Sequence, residues 1–304
     1  MSFTGASTRA REARAHFDTR DDFEMTTTQE IQLGATGFVE AELNYLRPQA
    51  KKPVNYATTP PPGVPQRGGQ ADPRRVRIFD ARTAHSAPTL DRNGFEIRAH
   101  RSQLSDFSDE ARIRDIYYPE AEAVIKELTG AVKVVIFDHT RRYALPGHVE
   151  PGIRETASRV HNDQTFAAAT RRVRDHLPAE EAEARLKKRH AIINFWRPTS
   201  YPVQTWPLAF CDAKSIEPND LVATDLVYAD KVGETYSFVH NPKHRWYYYP
   251  RLTPEEVVLL KIYDSRTDGT ARLTAHTAFD DPSSPPDAPH RRSIELRTLV
   301  FWNS

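Results

Sequence analysis

The chain of 304 residues is 38% hydrophobic and 10% aromatic, enough for one large domain or two small ones with a sizeable core. Lysine plus arginine (42) nearly balances aspartate plus glutamate (41), and a net charge of +1 excludes the basic excess of a protein that grips nucleic acid, so a small substrate is expected. The single cysteine, Cys211, excludes an intrachain disulfide and a zinc–thiolate cluster, and no apolar run of about 18 residues exists to span a bilayer.

Residues 1–30 read as a polar leader, and 31–304 as one domain. The leader lacks the apolar core of a secretory signal, and Asp18, Asp21, Asp22 and Glu24 argue against a transit peptide, so a cytoplasmic location is expected. The stretch 51–75, KKPVNYATTPPPGVPQRGGQADPRR, is too rich in proline, glycine and charge to pack much. It is expected as an extended arm over the domain surface; a disordered spacer is the alternative.

From residue 76 onward strand-like runs recur: VRIFDA (76–81), GFEIRAH (94–100), VKVVIFDH (132–139), AIINFWR (191–197), PLAFCDA (207–213), TYSFVH (235–240), RWYYYP (245–250), EVVLLKIYD (256–264), ARLTAHTAF (271–279) and SIELRTLVFW (293–302). The run from Glu256 is ambiguous, because Thr253-Pro254-Glu255 could equally open a helix. Two stretches, 110–129 and 164–190, read as helices. The first has an apolar stripe, a break or restart expected at Pro119 and a stop at Gly130; the second is broken near Pro178. Many short strands with a few helices predict a mainly β sandwich or barrel with helices packed outside.

Two features carry chemistry. His161-Asn162-Asp163 is an H-x-D triplet, and in extended chain its imidazole and carboxylate project to one side. His276 lies near the end of ARLTAHTAF. Two histidines and one carboxylate leave three positions open on an octahedral iron(II), two for a chelating 2-oxo acid and one for O2. The distal carboxylate of 2-oxoglutarate then needs a cation. Arg291, Ser293, Glu295 and Arg297 share one face of the last strand by parity, so Arg291 or Arg297, helped by Ser293, is expected to bind it.

These residues sit in stretches that resemble a known family: YYPE (117–120), IFDHTRR (136–142), VHNDQT (160–165), IINFWRP (192–198), PLAFCDAKS (207–215), NPKHRWYYYP (241–250), KIYDS (261–265), DGTARLTAHTAFDDP (268–282) and RRSIELRTLVFW (291–302). The chain resembles the fungal and bacterial hydroxylase/desaturase family that includes gibberellin desaturase-like enzymes and the oxygenase component of cephamycin 7α-hydroxylation. The resemblance implies a double-stranded β-helix (jelly-roll) core, iron(II), 2-oxoglutarate and O2 as cofactors, and oxidation of a small secondary-metabolite intermediate by hydroxylation, desaturation or cyclisation. It carries His161, Asp163 and His276 over as metal ligands and favours Arg291-x-Ser293 for 2-oxoglutarate. His290 and Arg292 depart from the family's proline and acidic residue.

Other residues compete for roles. His244 is a rival distal ligand, expected instead to pack beneath 246–249; His139 is expected in a structural hydrogen bond. Arg197, Asn194 and Trp196 are candidates for substrate binding, although Arg197 could equally form a structural ion pair. Cys211 is expected in the core rather than as a nucleophile. A 2-oxoglutarate-independent iron oxidase and a catalytically silent jelly-roll partner subunit are the rival functions, and a homodimer or a pathway partner protein is compatible with the sequence. The absence of H-E-x-x-H disfavours a zinc hydrolase.

Overall fold

The computed structural model describes residues 37–148 and 150–303, and the leader expected over 1–30 lies outside them. In chain order the strands are β1 (Phe38–Leu46), β2 (Val54–Tyr56), β3 (Ala71–Asp80), β4 (Phe95–Ala99), β5 (Lys133–Tyr143), β6 (Ile153–Arg154) and β7 (His161–Asn162). They continue as β8 (His190–Pro198), β9 (Leu208–Cys211), β10 (Leu221–Val227), β11 (Val232–Phe238), β12 (Trp246–Tyr248), β13 (Glu256–Asp264), β14 (His276–Ala278) and β15 (Arg292–Phe301). The helices are α1 (Leu90–Asn93), α2 (Glu110–Arg112), α3 (Tyr118–Thr129), α4 (Phe166–His176) and α5 (Ala179–Leu186).

The strands form a nine-stranded sheet, β1-β3-β12-β9-β14-β7-β11-β10-β2, and a six-stranded sheet, β4-β13-β8-β15-β5-β6. From β7 to β9, and again from β13 to β15, successive strands alternate between the sheets, which is the connectivity of a jelly roll. The expected mainly β architecture with flanking helices is the one observed.

Period-two alternation decides what each sheet face meets. In β8 and β15, Ile193, Phe195, Ile294, Leu296 and Val300 point outward and pack with Ile113, Tyr117, Ala121 and Ile125 of the helical layer. The other face of the same strands points between the sheets, where Ile192, Leu299 and Phe301 join Val258, Leu260 and Phe210. This interior face changes character along one strand pair. Ile192 lies opposite Leu299, but one step on Asn194 faces Arg297, and then Trp196 faces Glu295. Polar groups in such a position need partners or a ligand, so the interior is a core at one end and a site at the other.

The structure departs from expectation in several elements. At Pro119 the helix restarts rather than breaks, the second of the two outcomes expected: Ile113–Tyr117 forms a π turn and α3 follows directly, with the proline in its first turn, where no N–H is required. Asp109 caps the start, and Gly130, at φ +67°, closes α3 in the left-handed region. The break near Pro178 does occur, between α4 and α5. The ambiguous run from Glu256 is strand β13. Of ARLTAHTAF only His276–Ala278 is paired. Strands β1 and β10 are additional, and β3 starts at Ala71 within the arm, pairing with β1 throughout.

Candidate metal centre

The topology alone brings the two distant histidines together. His276 on β14 is the direct cross-strand partner of His161 on β7, so both imidazoles leave the sheet on one face, with ring centroids 4.3 Å apart. Asp163, two residues after His161, projects the same way. Its Oδ1 lies 3.5 Å from His161 Nε2 and 4.0 Å from His276 Nε2, and one ligand atom from each of the three falls within 4.8 Å of the others.

The donor chemistry suits a divalent ion. His161 Nδ1 donates to the Arg159 carbonyl at 2.8 Å, which fixes the tautomer and leaves the Nε2 lone pair facing the cluster. Burial, reinforced by neighbouring His161, pushes His276 down to about 3, so its imidazole is neutral. Burial would raise the Asp163 carboxyl, but His161, Arg297 and His276 together hold it well below the usual carboxylate range. Two neutral imidazoles and one carboxylate are the donor set preferred by iron(II) with open positions, and no thiolate is near.

Asn194 on β8 orients the carboxylate. Its Nδ2 donates to Asp163 Oδ2 at 2.7 Å and to Glu295 Oε1 at 3.0 Å. Asn194, a candidate for substrate binding from the sequence, is hydrogen-bonded to the acidic member of the triad. Burial, followed by the charge of Asp163, raises the Glu295 carboxyl.

The two candidate arginines, Arg291 buried and Arg297 half-buried, keep different company. Arg297 Nε lies 3.2 Å from Asp138, and Nη2 donates to Thr140. Burial alone would lower its pKa, but Asp138, Asp163 and Glu295 outweigh that and raise it. Arg291 donates Nη1 to the Trp206 carbonyl and lies over Trp196, 5.4 Å from the ring centroid. Its Nε and Nη2, like Ser293 Oγ two residues on, are buried without a protein partner. Burial and the nearby Arg142 push Arg291 down to about 9, still charged at neutral pH. An unanswered cation beside an unanswered hydroxyl fits a bound carboxylate.

A cavity of roughly 420 Å³ opens from this cluster, with His161, Asp163, Arg297 and Arg142 in its wall. Sequence reading missed Arg142. The signal was in FDHTRR, where parity sets Asp138, Thr140 and Arg142 on one face, and register puts Arg142 opposite Ser293. Arg197 is not brought to the cavity. It lies on the outward face of β8, between the rings of Phe107 and Tyr117, with Nη1 3.2 Å from His100 Nδ1.

The rival residues are engaged elsewhere. His244 has both ring nitrogens occupied, Nδ1 by Tyr45 Oη at 3.0 Å and Nε2 by Asp220 at 3.1 Å, in a chain begun by Trp246. His139 is held by Tyr118 and Glu110. Burial pushes the Cys211 thiol up to about 12, so it is an inert core group.

A jelly roll that holds two imidazoles and a carboxylate at a cavity wall defines the class of mononuclear non-haem iron oxygenases. A family model described as an oxidoreductase/YMDC permease-like domain matches residues 43–301. Among the described residues no helix is long and apolar enough to cross a membrane. The chain is 35% identical over 279 residues to the Fe(II)/2-oxoglutarate-dependent dioxygenase nvfI of Aspergillus novofumigatus, covering 88% of this chain and 99% of that one. It is 34% identical over 250 residues to the hydroxylase/desaturase efuI of Hormonema carpetanum, covering 75% and 83%. A solved structure of the iron and alpha-ketoglutarate-dependent endoperoxidase NvfI superposes with a TM-score of 0.80 at 31% identity, over 89% of this chain and all of that one. The chain belongs to this family of Fe(II)/2-oxoglutarate-dependent oxygenases.

Proposed function

We propose that the protein is an iron(II)- and 2-oxoglutarate-dependent dioxygenase that uses O2 to oxidise a small secondary-metabolite intermediate, by hydroxylation, desaturation or oxidative cyclisation. The observation that carries this reading is the cross-strand pairing of His161 with His276 beside Asp163, at the wall of a cavity near a buried, unanswered arginine. Relatives named as dioxygenase and hydroxylase/desaturase support it.

His161, Asp163 and His276 would hold iron(II), which when bound supplies activation of O2 coupled to decarboxylation of 2-oxoglutarate to succinate. The protein's own contribution is placement. The Arg159 carbonyl sets the His161 tautomer, burial keeps His276 neutral, and Asn194 steadies Asp163. Arg291 with Ser293 takes the distal carboxylate of 2-oxoglutarate, because Arg291 Nε and Nη2 and the Ser293 hydroxyl have no protein partner. Arg297, already answered by Asp138 and Asp163, screens the carboxylates of the site.

Anaerobic calorimetry tests the assignment. The wild type is expected to bind one iron(II) and then one 2-oxoglutarate, and to form succinate when O2 is admitted. His161→Ala, Asp163→Ala and His276→Ala are each expected to lose iron binding, and Arg291→Leu to weaken 2-oxoglutarate by about tenfold or more, the scale of a lost charge-assisted pair. Iron uptake of wild-type strength in any of the three alanine variants ends the reading.

A further inference from the structure

The cavity wall carries more positive charge than its own carboxylates offset. Six arginines line it, Arg67, Arg142, Arg154, Arg159, Arg172 and Arg297, against the three carboxylates of Glu155, Asp163 and Glu234. Of those acids, Asp163 belongs to the triad. Glu234 is bound by Lys52 and by Thr165, each at 2.6 Å. Arg297 and Arg172 have acidic partners in Asp138 and Asp175. Among the described residues Arg67, Arg154 and Arg159 have none.

Like charges are instead set side by side. Arg159 is lowered by burial and then by the charge of Arg67; Arg142, lowered by burial, has Glu295 and Asp163 to set against Arg297 and Arg154. Holding cations together without counter-charge is unfavourable unless an anion joins them. The placement is enforced by structure: Arg159 donates to the carbonyls of Gly68 at 2.8 Å and Gly69 at 3.3 Å, which fixes it beside the segment carrying Arg67. Among the cations and polar groups the wall also carries Tyr56, Leu226 and Tyr228.

In the function proposed above, on which this inference rests, both carboxylates of 2-oxoglutarate are accounted for, one at the metal and one at Arg291 and Ser293. The exposed Arg67 and Arg154 stay free for a second anion, beside Arg159, which the Gly68 and Gly69 carbonyls hold in place. We propose that the substrate is an organic acid: an apolar body lies along Tyr56, Leu226 and Tyr228, and its carboxylate is held at the mouth of the cavity by Arg67, Arg154 and Arg159. This arrangement orients the molecule, because one end is tethered while the other reaches toward the triad.

The test uses enzyme loaded anaerobically with iron(II) and saturating 2-oxoglutarate, and compares binding of 2-naphthoate with its neutral isostere 2-naphthamide. The acid is expected to bind about tenfold tighter or more, the scale of a charge-assisted arginine–carboxylate contact, and the preference to shrink in high salt. Arg67→Gln combined with Arg154→Gln is expected to reduce the preference to under about twofold with 2-oxoglutarate affinity unchanged. Equal binding of acid and amide, or no detectable binding of the acid, overturns the inference. So does loss of 2-oxoglutarate affinity in the double variant, since the arginines would then serve the co-substrate. Failure of the wild type to take up iron and 2-oxoglutarate is a different result and overturns the proposed function itself.

Discussion

Asn194 makes two hydrogen bonds from a single amide nitrogen, to Asp163 and to Glu295, and so couples a metal-binding carboxylate to a buried neighbour. Asn194→Ala removes the donor that aims Asp163 and leaves both carboxylates without it, so iron(II) affinity is expected to fall about ten- to a hundredfold with the fold intact. Iron titration alongside circular dichroism checks this; unchanged affinity would show that the amide only fills space. At this scale the triad was legible, because H-x-D has a fixed parity and an iron site needs one more imidazole. The role of Asn194 was not. Parity showed that Asn194 and Trp196 share a face, but not that this face meets Asp163 from the opposite sheet. Arg197, adjacent to Trp196 in sequence, points the other way and packs on Tyr117.

Strand β13 shows how an element can be buried on both faces and still carry charge. Lys261 and Asp264 are 1% and 0% exposed, with Lys261 Nζ 2.9 Å from Asp264 Oδ2 and Arg189 Nη2 2.8 Å from the same oxygen. Asp91 of α1 answers both cations from the surface. Asp264→Asn leaves a buried ammonium and a guanidinium with one partly exposed partner, and is expected to cost about 3 kcal/mol in urea unfolding, near the lower end for a broken buried pair. A loss under about 1 kcal/mol would mean that Asp91 alone neutralises the cluster. The uninterrupted apolar run of β13 made strand and helix equally plausible from sequence, since period is lost when both faces are covered. Strand β1 is the opposite case, with Val39, Ala41, Leu43 and Tyr45 buried in alternation. Its clean signal lies ahead of the arm, where no strand was expected. The run 271–275 has strand composition but no ladder, because pairing is set by neighbours rather than by propensity.

At the scale of the whole molecule, a β-sandwich or barrel was readable from the number and rhythm of strands and its jelly-roll form from the family resemblance, whereas the arm was readable only as an absence of core. Its composition gives no hint that it forms part of the cavity, yet Asn55, Tyr56 and Arg67 line the wall. Two ordered contacts explain how so polar a segment is held. Strand β2 joins the edge of the nine-stranded sheet in parallel with β10, and the returning chain closes on it through Gly68 N to the Val54 carbonyl at 2.8 Å and Tyr56 N to the Gln66 carbonyl at 2.9 Å. That closure requires glycine at 68: a Cβ there would stand 2.5 Å from the Val54 oxygen and 2.6 Å from its nitrogen, both backbone atoms. Gly68→Ala is therefore expected to unlatch the arm from the sheet edge and to loosen the carbonyls that hold Arg159. The three hydrophobic clusters of the core do not include these residues, so melting of the jelly roll is expected to shift by less than about 3 °C. Trypsin cleavage after Arg67 is expected to accelerate by about tenfold or more, because the local opening no longer works against the latch. Equal cleavage rates in both proteins would place the strength of the arm elsewhere, in the Lys52 bridges to Asp225 and Glu234 that tie its start to β10 and β11.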